Sequence, residues 1–128
     1  LSVYKGKAFV RFARKARITD IDLWQAAQRA NEGLVDADLG GGVIKQRIAR
    51  AGEGKSGGSR SIILFRKNNR AVYVYGFEEK DAANVDRREL EAFRELATVI
   101  LGYTDAEIEQ RVLDGALFRV EEPGEDNA

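Results

Sequence analysis

A chain of 128 residues with neither cysteine nor histidine is long enough to bury a core unaided, and it excludes disulfide frameworks, thiol nucleophiles, Cys/His zinc sites and histidine acid–base chemistry. Its 21 basic and 21 acidic residues cancel, yet residues 1–80 hold 16 Lys+Arg against 8 Asp+Glu and residues 81–128 hold 5 against 13. A basic front thus precedes an acidic rear, and the front calls for an anionic partner such as nucleic acid. No apolar run approaches the roughly 20 residues that span a bilayer, and the first residues lack the apolar core of a signal peptide. A cytoplasmic protein without membrane partners is the expectation.

In chain order, Ser2 to Tyr4 reads as a short strand. From Lys7 to Arg17, Phe9, Phe12, Ala13 and Ala16 recur at helical spacing beneath a basic outer face. Thr19 with Asp22 three residues on is an N-terminal cap for a second helix, whose apolar side is Leu23, Ala27, Ala30 and Leu34, with Gly33 ending it. Trp24 is expected to anchor the core. Asp36 to Gly42 reads as a turn-rich connection. Val43 to Ile48 then alternates, with Lys45 and Arg47 on one face and Ile44, Gln46 and Ile48 on the other. A glycine-rich loop, 51–58, leads to strands Arg60 to Phe65 and Ala71 to Tyr75, joined as a hairpin around Asn68 and Asn69. Alternation predicts that Tyr73 and Tyr75 share a face, opposite Val72 and Val74.

Beyond Phe77 the pattern turns helical. Asp86 with Glu89 caps a helix reaching Leu101, whose stripe is Leu90, Phe93, Ala97, Ile100 and Leu101. Thr104 with Glu107 caps a shorter helix to Asp114, closed by Gly115, and 116–120 reads as an edge strand. The acidic residues 121–128 have nothing to bury and are expected to be disordered. One domain, 1–120, is the expectation, with a core of about 1–101, a helical extension at 104–120 and a tail. Its class is α+β: a small antiparallel sheet with a mixed edge, an N-terminal helix pair on one face, and C-terminal helices. The opposite face is expected to stay open and to display Lys45 and Arg47.

Two glycine runs suggest phosphate loops, and neither fits. Gly40-Gly41-Gly42 precedes a strand, whereas a phosphate-binding loop needs a helix N-terminus after it. Gly54-Lys55-Ser56 matches the end of a nucleotide-triphosphate motif, but its first glycine position is Ala49 and a strand follows. No cofactor and no metal are expected.

Lys45-Gln46-Arg47, the loop Gly54-Lys55-Ser56-Gly57-Gly58-x-Arg60, and Tyr75-Gly76-Phe77 followed by Lys80, in this order of elements, resemble the RelE/HigB family of type II toxins, in a subgroup with that loop. The resemblance implies a ribosome-dependent endoribonuclease, an mRNA interferase that needs no metal and cuts translated messenger RNA by attack of a 2′-hydroxyl on the adjacent phosphate. Such a step needs a proton acceptor, a proton donor for the leaving oxygen, and fixed positive charge near phosphorus. The family pattern falls on Lys45, Arg47, Lys55, Arg60 and Lys80 as catalytic residues. Arg60 is read as the phosphate clamp and Lys55 or Lys80 as the proton-transfer group. Arg50, Ser56, Arg66, Lys67, Arg70 and Tyr75 are the expected RNA contacts. The implied partners are the ribosome, messenger RNA and an antitoxin of helix-turn-helix type, with DNA reached only through the antitoxin. Two other readings stay open: a gyrase-inhibiting toxin of the related ParE branch, and a non-catalytic RNA-binding module.

Overall fold

The computed structural model describes residues 1–49, 58–81 and 85–124. The expected loop at 51–57 and the end of the tail lie outside the described residues.

The expected elements form. Strand β1 (Ser2–Gly6) runs into α1 (Lys7–Ala16), which buries Phe9 and Ala13 and packs Phe12 and Ala16 against the same core. Helix α2 (Asp20–Asn31) begins on a complete capping box between Thr19 and Asp22 and lays Leu23, Ala26, Ala27 and Ala30 on the sheet. The helical stripe stops short of Leu34, which is 62% exposed. The helix ends at Asn31, and Gly33 at φ 95° turns the chain before the period can continue. Trp24 packs against this core, partly buried.

The supposed turn region holds a further strand, β2 (Ala37–Gly40), paired antiparallel with β3 (Val43–Ile48). Consecutive positive φ angles at Gly40, Gly41 and Gly42 make the reversal, so this glycine run serves a tight turn between strands. Strands β4 (Ser59–Arg66) and β5 (Arg70–Glu78) form the hairpin. Its turn is closed by the Asn69 N–H donating to the Arg66 carbonyl, with Asn68 at φ 60°. Asn31 at the end of α2 exchanges two hydrogen bonds with Asn68, of 2.7 and 3.1 Å, tying helix to turn.

After a short 3₁₀ turn (Glu79–Asp81) come α3 (Arg87–Leu101) and α4 (Asp105–Leu113), each on the expected capping box, and β6 (Leu117–Val120). The six strands lie in the order β2-β3-β4-β5-β1-β6. β1 is parallel to β5 and antiparallel to β6, so the sheet is mixed towards one side.

The sheet is covered on both faces. Helices α1 and α2 take the face of Ile44, Ile48, Ile63 and Tyr73. The other face, expected to be open, packs Val43, Ile62, Leu64 and Val72 against Ala97 and Leu101 of α3. The apolar stripe of α3 needs a partner, and this face is the apolar surface it meets. Among the described residues, what remains uncovered is one end of the strands.

Candidate nucleic-acid interface

At that end the register aligns the basic residues. Arg47 stands opposite Arg60, Lys45 opposite Ile62, and on the next strand Phe77 opposite Arg60 and Tyr75 opposite Ile62. Residues opposite one another share a face, so Lys45, Arg47, Arg60, Tyr75 and Phe77 belong to a single surface on the α3 side of the sheet.

Tyr75 reaches that surface because β5 carries a bulge. Ile62 pairs with Tyr75 and Ile63 with Tyr73, leaving Val74 as the extra residue. Tyr73 and Tyr75 therefore face opposite sides, contrary to simple alternation, because one inserted residue shifts everything beyond it by half a period. Tyr73 is fully buried against Phe9, ring centroids 5.0 Å apart, and its hydroxyl donates to the Leu23 carbonyl at 2.7 Å. Burial pushes that hydroxyl's pKa up, so it stays a donor. Tyr75 is 38% exposed and lies 6.0 Å from both Phe77 and Phe93, centroid to centroid.

On the opposite face of β3, Gln46 is buried and holds the strand in place. Its amide donates to the Ala26 and Leu34 carbonyls and its oxygen accepts from the Asp36 N–H, at 3.0–3.2 Å. Just before β2 begins, the Asp36 carboxylate accepts from the Arg47 N–H, and Arg29 donates to the Arg47 carbonyl at 3.0 Å, so the backbone of Arg47 is fixed. The Lys45 and Arg47 side chains thus project from a rigid strand, as preorganisation requires.

Gly58 lets the two arginines converge. A Cβ there would stand 2.9 Å from Arg47 Nε and 3.0 Å from Arg60 Nη1, so any other residue at this position would push the guanidiniums aside. Arg60 Nη2 donates to Glu79 at 2.6 Å, whereas Nη1 is buried and, among the described residues, has no hydrogen-bond partner. A buried guanidinium N–H without an acceptor is costly, and two cations aimed at one point make an anion the natural acceptor. On the far side of the sheet, Ser59 donates to Glu78 at 2.7 Å.

The other expected site residues are dispersed. Lys80 is exposed on the 3₁₀ turn just past β5. Lys67 is exposed at the hairpin, and Arg66 beside it donates to the Leu101 carbonyl at 2.8 Å. Arg70 corrects the reading of it as an RNA contact. It is 4% exposed; Nη1 donates to the Ile100 and Tyr103 carbonyls at 2.8 and 3.0 Å, and Nη2 pairs with Asp105 at 3.3 Å. Its charge is used up in capping α3, at the opposite end of the sheet. Arg50, Lys55 and Ser56 lie outside the described residues. Sequence reading gave Gly58 and Phe77 only as members of the family motifs, with no part in the site, and passed over Glu79. Gly58 also carried a local signal, a glycine set immediately before a strand start, where close approach to a backbone is common.

Residues 1–120 match the family described as the RelE toxin of the RelE / RelB toxin-antitoxin system. The match spans all six strands and four helices, and the chain belongs to this family: it is a toxin whose partner is an antitoxin.

Proposed function

We propose that this RelE-family toxin is an endoribonuclease that cuts messenger RNA on the ribosome, without metal, by attack of a 2′-hydroxyl on the adjacent phosphate. The observation that carries the reading is the convergence of Arg47 and Arg60 over Gly58, with Arg60 Nη1 buried and, among the described residues, without a hydrogen-bond partner. Charge develops on the phosphate oxygens as the fifth bond to phosphorus forms, and fixed guanidiniums lower the barrier most when they need not reorganise. Arg60 is the phosphate clamp in this reading, with Arg47 beside it and Lys45 one register step away. Tyr75 and Phe77 offer ring faces to unstacked bases, which is how single-stranded RNA is commonly held.

Proton transfer falls to lysine. The 2′-oxygen gives up its proton and bonds to phosphorus, the bond to the 5′-oxygen breaks, and that oxygen is protonated, leaving a 2′,3′-cyclic phosphate and a 5′-hydroxyl. Lys55 or Lys80 is the proton-transfer group in this reading. Arg66 and Lys67, at the far hairpin, serve ribosomal RNA contact through phosphate charge. The antitoxin is of helix-turn-helix type, as in the HigB-like branch, and both act in the cytoplasm.

Primer extension on messenger from expressing cells tests the activity: cuts within translated codons are expected. Gyrase-dependent DNA damage without such cuts would replace this reading with a ParE-like one, and neither outcome would leave a non-catalytic RNA binder. Single-turnover cleavage on programmed ribosomes at saturating toxin tests the site. Arg60→Ala is expected to lower the rate about 10²-fold or more, and a rate equal to wild type would remove Arg60 from it.

A further inference from the structure

The sheet end is not the sole surface of the described residues with chemistry unspent. On the outward side of α3, Leu96 and Val99 are 38% and 51% exposed. They stand one turn apart, on a different side of the helix from the buried Ala97 and Leu101. With Val74, Ile100, Tyr103 and Leu117 they line a cleft of about 290 Å³ between α3, the start of α1 and the start of β6. Val74 is the bulged residue of β5, so the irregularity that brings Tyr75 to the basic surface also supplies part of this apolar floor. Exposed aliphatic side chains clustered in a cleft mark a binding surface far more often than a solvent-facing one.

The rim of the cleft is basic. Arg111 lies over Tyr103, 4.7 Å from the ring centroid, and Lys7 stands at the mouth as the first residue of α1. Helices α2, α3 and α4 each start on a capping box with at least one acid in the first turn, even though α3 opens on Arg87 and Arg88, whereas α1 has no side-chain cap and no acid in its first turn and opens on Lys7. An uncapped helix start carrying a cation beside an apolar cleft suits a partner that supplies negative charge.

We infer that this cleft is a docking site for the antitoxin, and that it takes a short amphipathic segment with aliphatic anchors and at least one carboxylate directed at Lys7 and Arg111. The inference rests on the family's antitoxin partnership and on the charge complementarity of the rim. It does not depend on RNA cleavage. The cleft lies beside β1 and β6 at the α1 start, away from the residues around Gly58, so an antitoxin held here need not compete for that site by its anchors.

The test uses the full-length toxin and the antitoxin encoded with it, purified separately and recombined in a calorimeter. Val99→Glu and Leu96→Glu place a carboxylate among the anchors and are expected to weaken the dissociation constant about a hundredfold. Lys7→Glu is expected to weaken it about tenfold, most strongly at low salt, while leaving the melting temperature equal or higher, because an acid at this helix end is favourable. That opposite movement of stability and affinity separates docking from unfolding. In cells, the three variants should remain toxic and resist neutralisation by the antitoxin. Affinity unchanged in both Val99→Glu and Lys7→Glu would overturn the proposal. So would self-association of wild type that Val99→Glu abolishes while antitoxin binding persists, since the cleft would then belong to a second copy of this chain.

Discussion

Arg60 and Arg70 are ten residues apart, on neighbouring strands and at opposite ends of one sheet, and the fold treats them in opposite ways. Arg70 is buried with acceptors on both terminal nitrogens, two carbonyls from the end of α3 and the turn that follows and the carboxylate of Asp105 at the start of α4. Arg60 shares one nitrogen with Glu79 and keeps the other buried without an acceptor among the described residues. A satisfied guanidinium holds a structure together, whereas an unsatisfied one is poised to bind an anion. The contrast lies in what α3 brings: its C-terminal carbonyls, which carry the negative end of the helix dipole, reach Arg70 and leave Arg60 at the uncovered end.

The comparison is broken most severely at the closed end. Arg70→Ala removes the guanidinium that donates to the Ile100 and Tyr103 carbonyls, and a loss of about 3 kcal/mol is expected in urea denaturation. The pair with fully exposed Asp105 should contribute little of this. Arg60→Ala should do the reverse: stability within about 1 kcal/mol of wild type, and single-turnover cleavage down about 10²-fold. Gly58→Ala sharpens the open end without removing a charge. Its methyl group would meet both guanidiniums near 3 Å, and because side-chain ends can yield, about a tenfold loss of rate is expected with little change in stability. The smallest effect is expected at Thr104→Ala, which removes the cap of α4 just after the carbonyls that Arg70 holds. It should cost about 1 kcal/mol in denaturation and leave cleavage untouched.

Much of the fold is legible along the chain because it is written in local chemistry. Three capping boxes, at Thr19, Asp86 and Thr104, start three helices where short-range hydrogen bonding requires. Alternation in β3 places Lys45 and Arg47 on one face, and the paired strands keep them there. The bulge at Val74 is not legible, since valine suits a regular strand as well as a bulged one. It is a choice of pairing between strands, and it decides on which face Tyr75 lies. Leu34 continued a helical period past a helix that had already ended, so periodicity alone gave it a burial it does not have.

The amino-acid sequence by itself determined the elements, their caps, the basic face of β3 and the family, because each rests on residues within a turn or a strand of one another or on a motif read in line. Tertiary structure alone decided that Arg70 is spent on the carbonyls at the end of α3, while Arg60 keeps, among the described residues, a buried donor without a partner. Beside a hairpin turn, Arg70 reads as a solvated charge until a helix thirty residues later delivers its carbonyls. Beside a glycine loop, Arg60 is singled out by the motif alone until β3 sets Arg47 opposite it and gives that reading a geometry. Both outcomes depend on contacts between distant segments, and a side chain's charge carries no record of which distant acceptor the fold will bring to it.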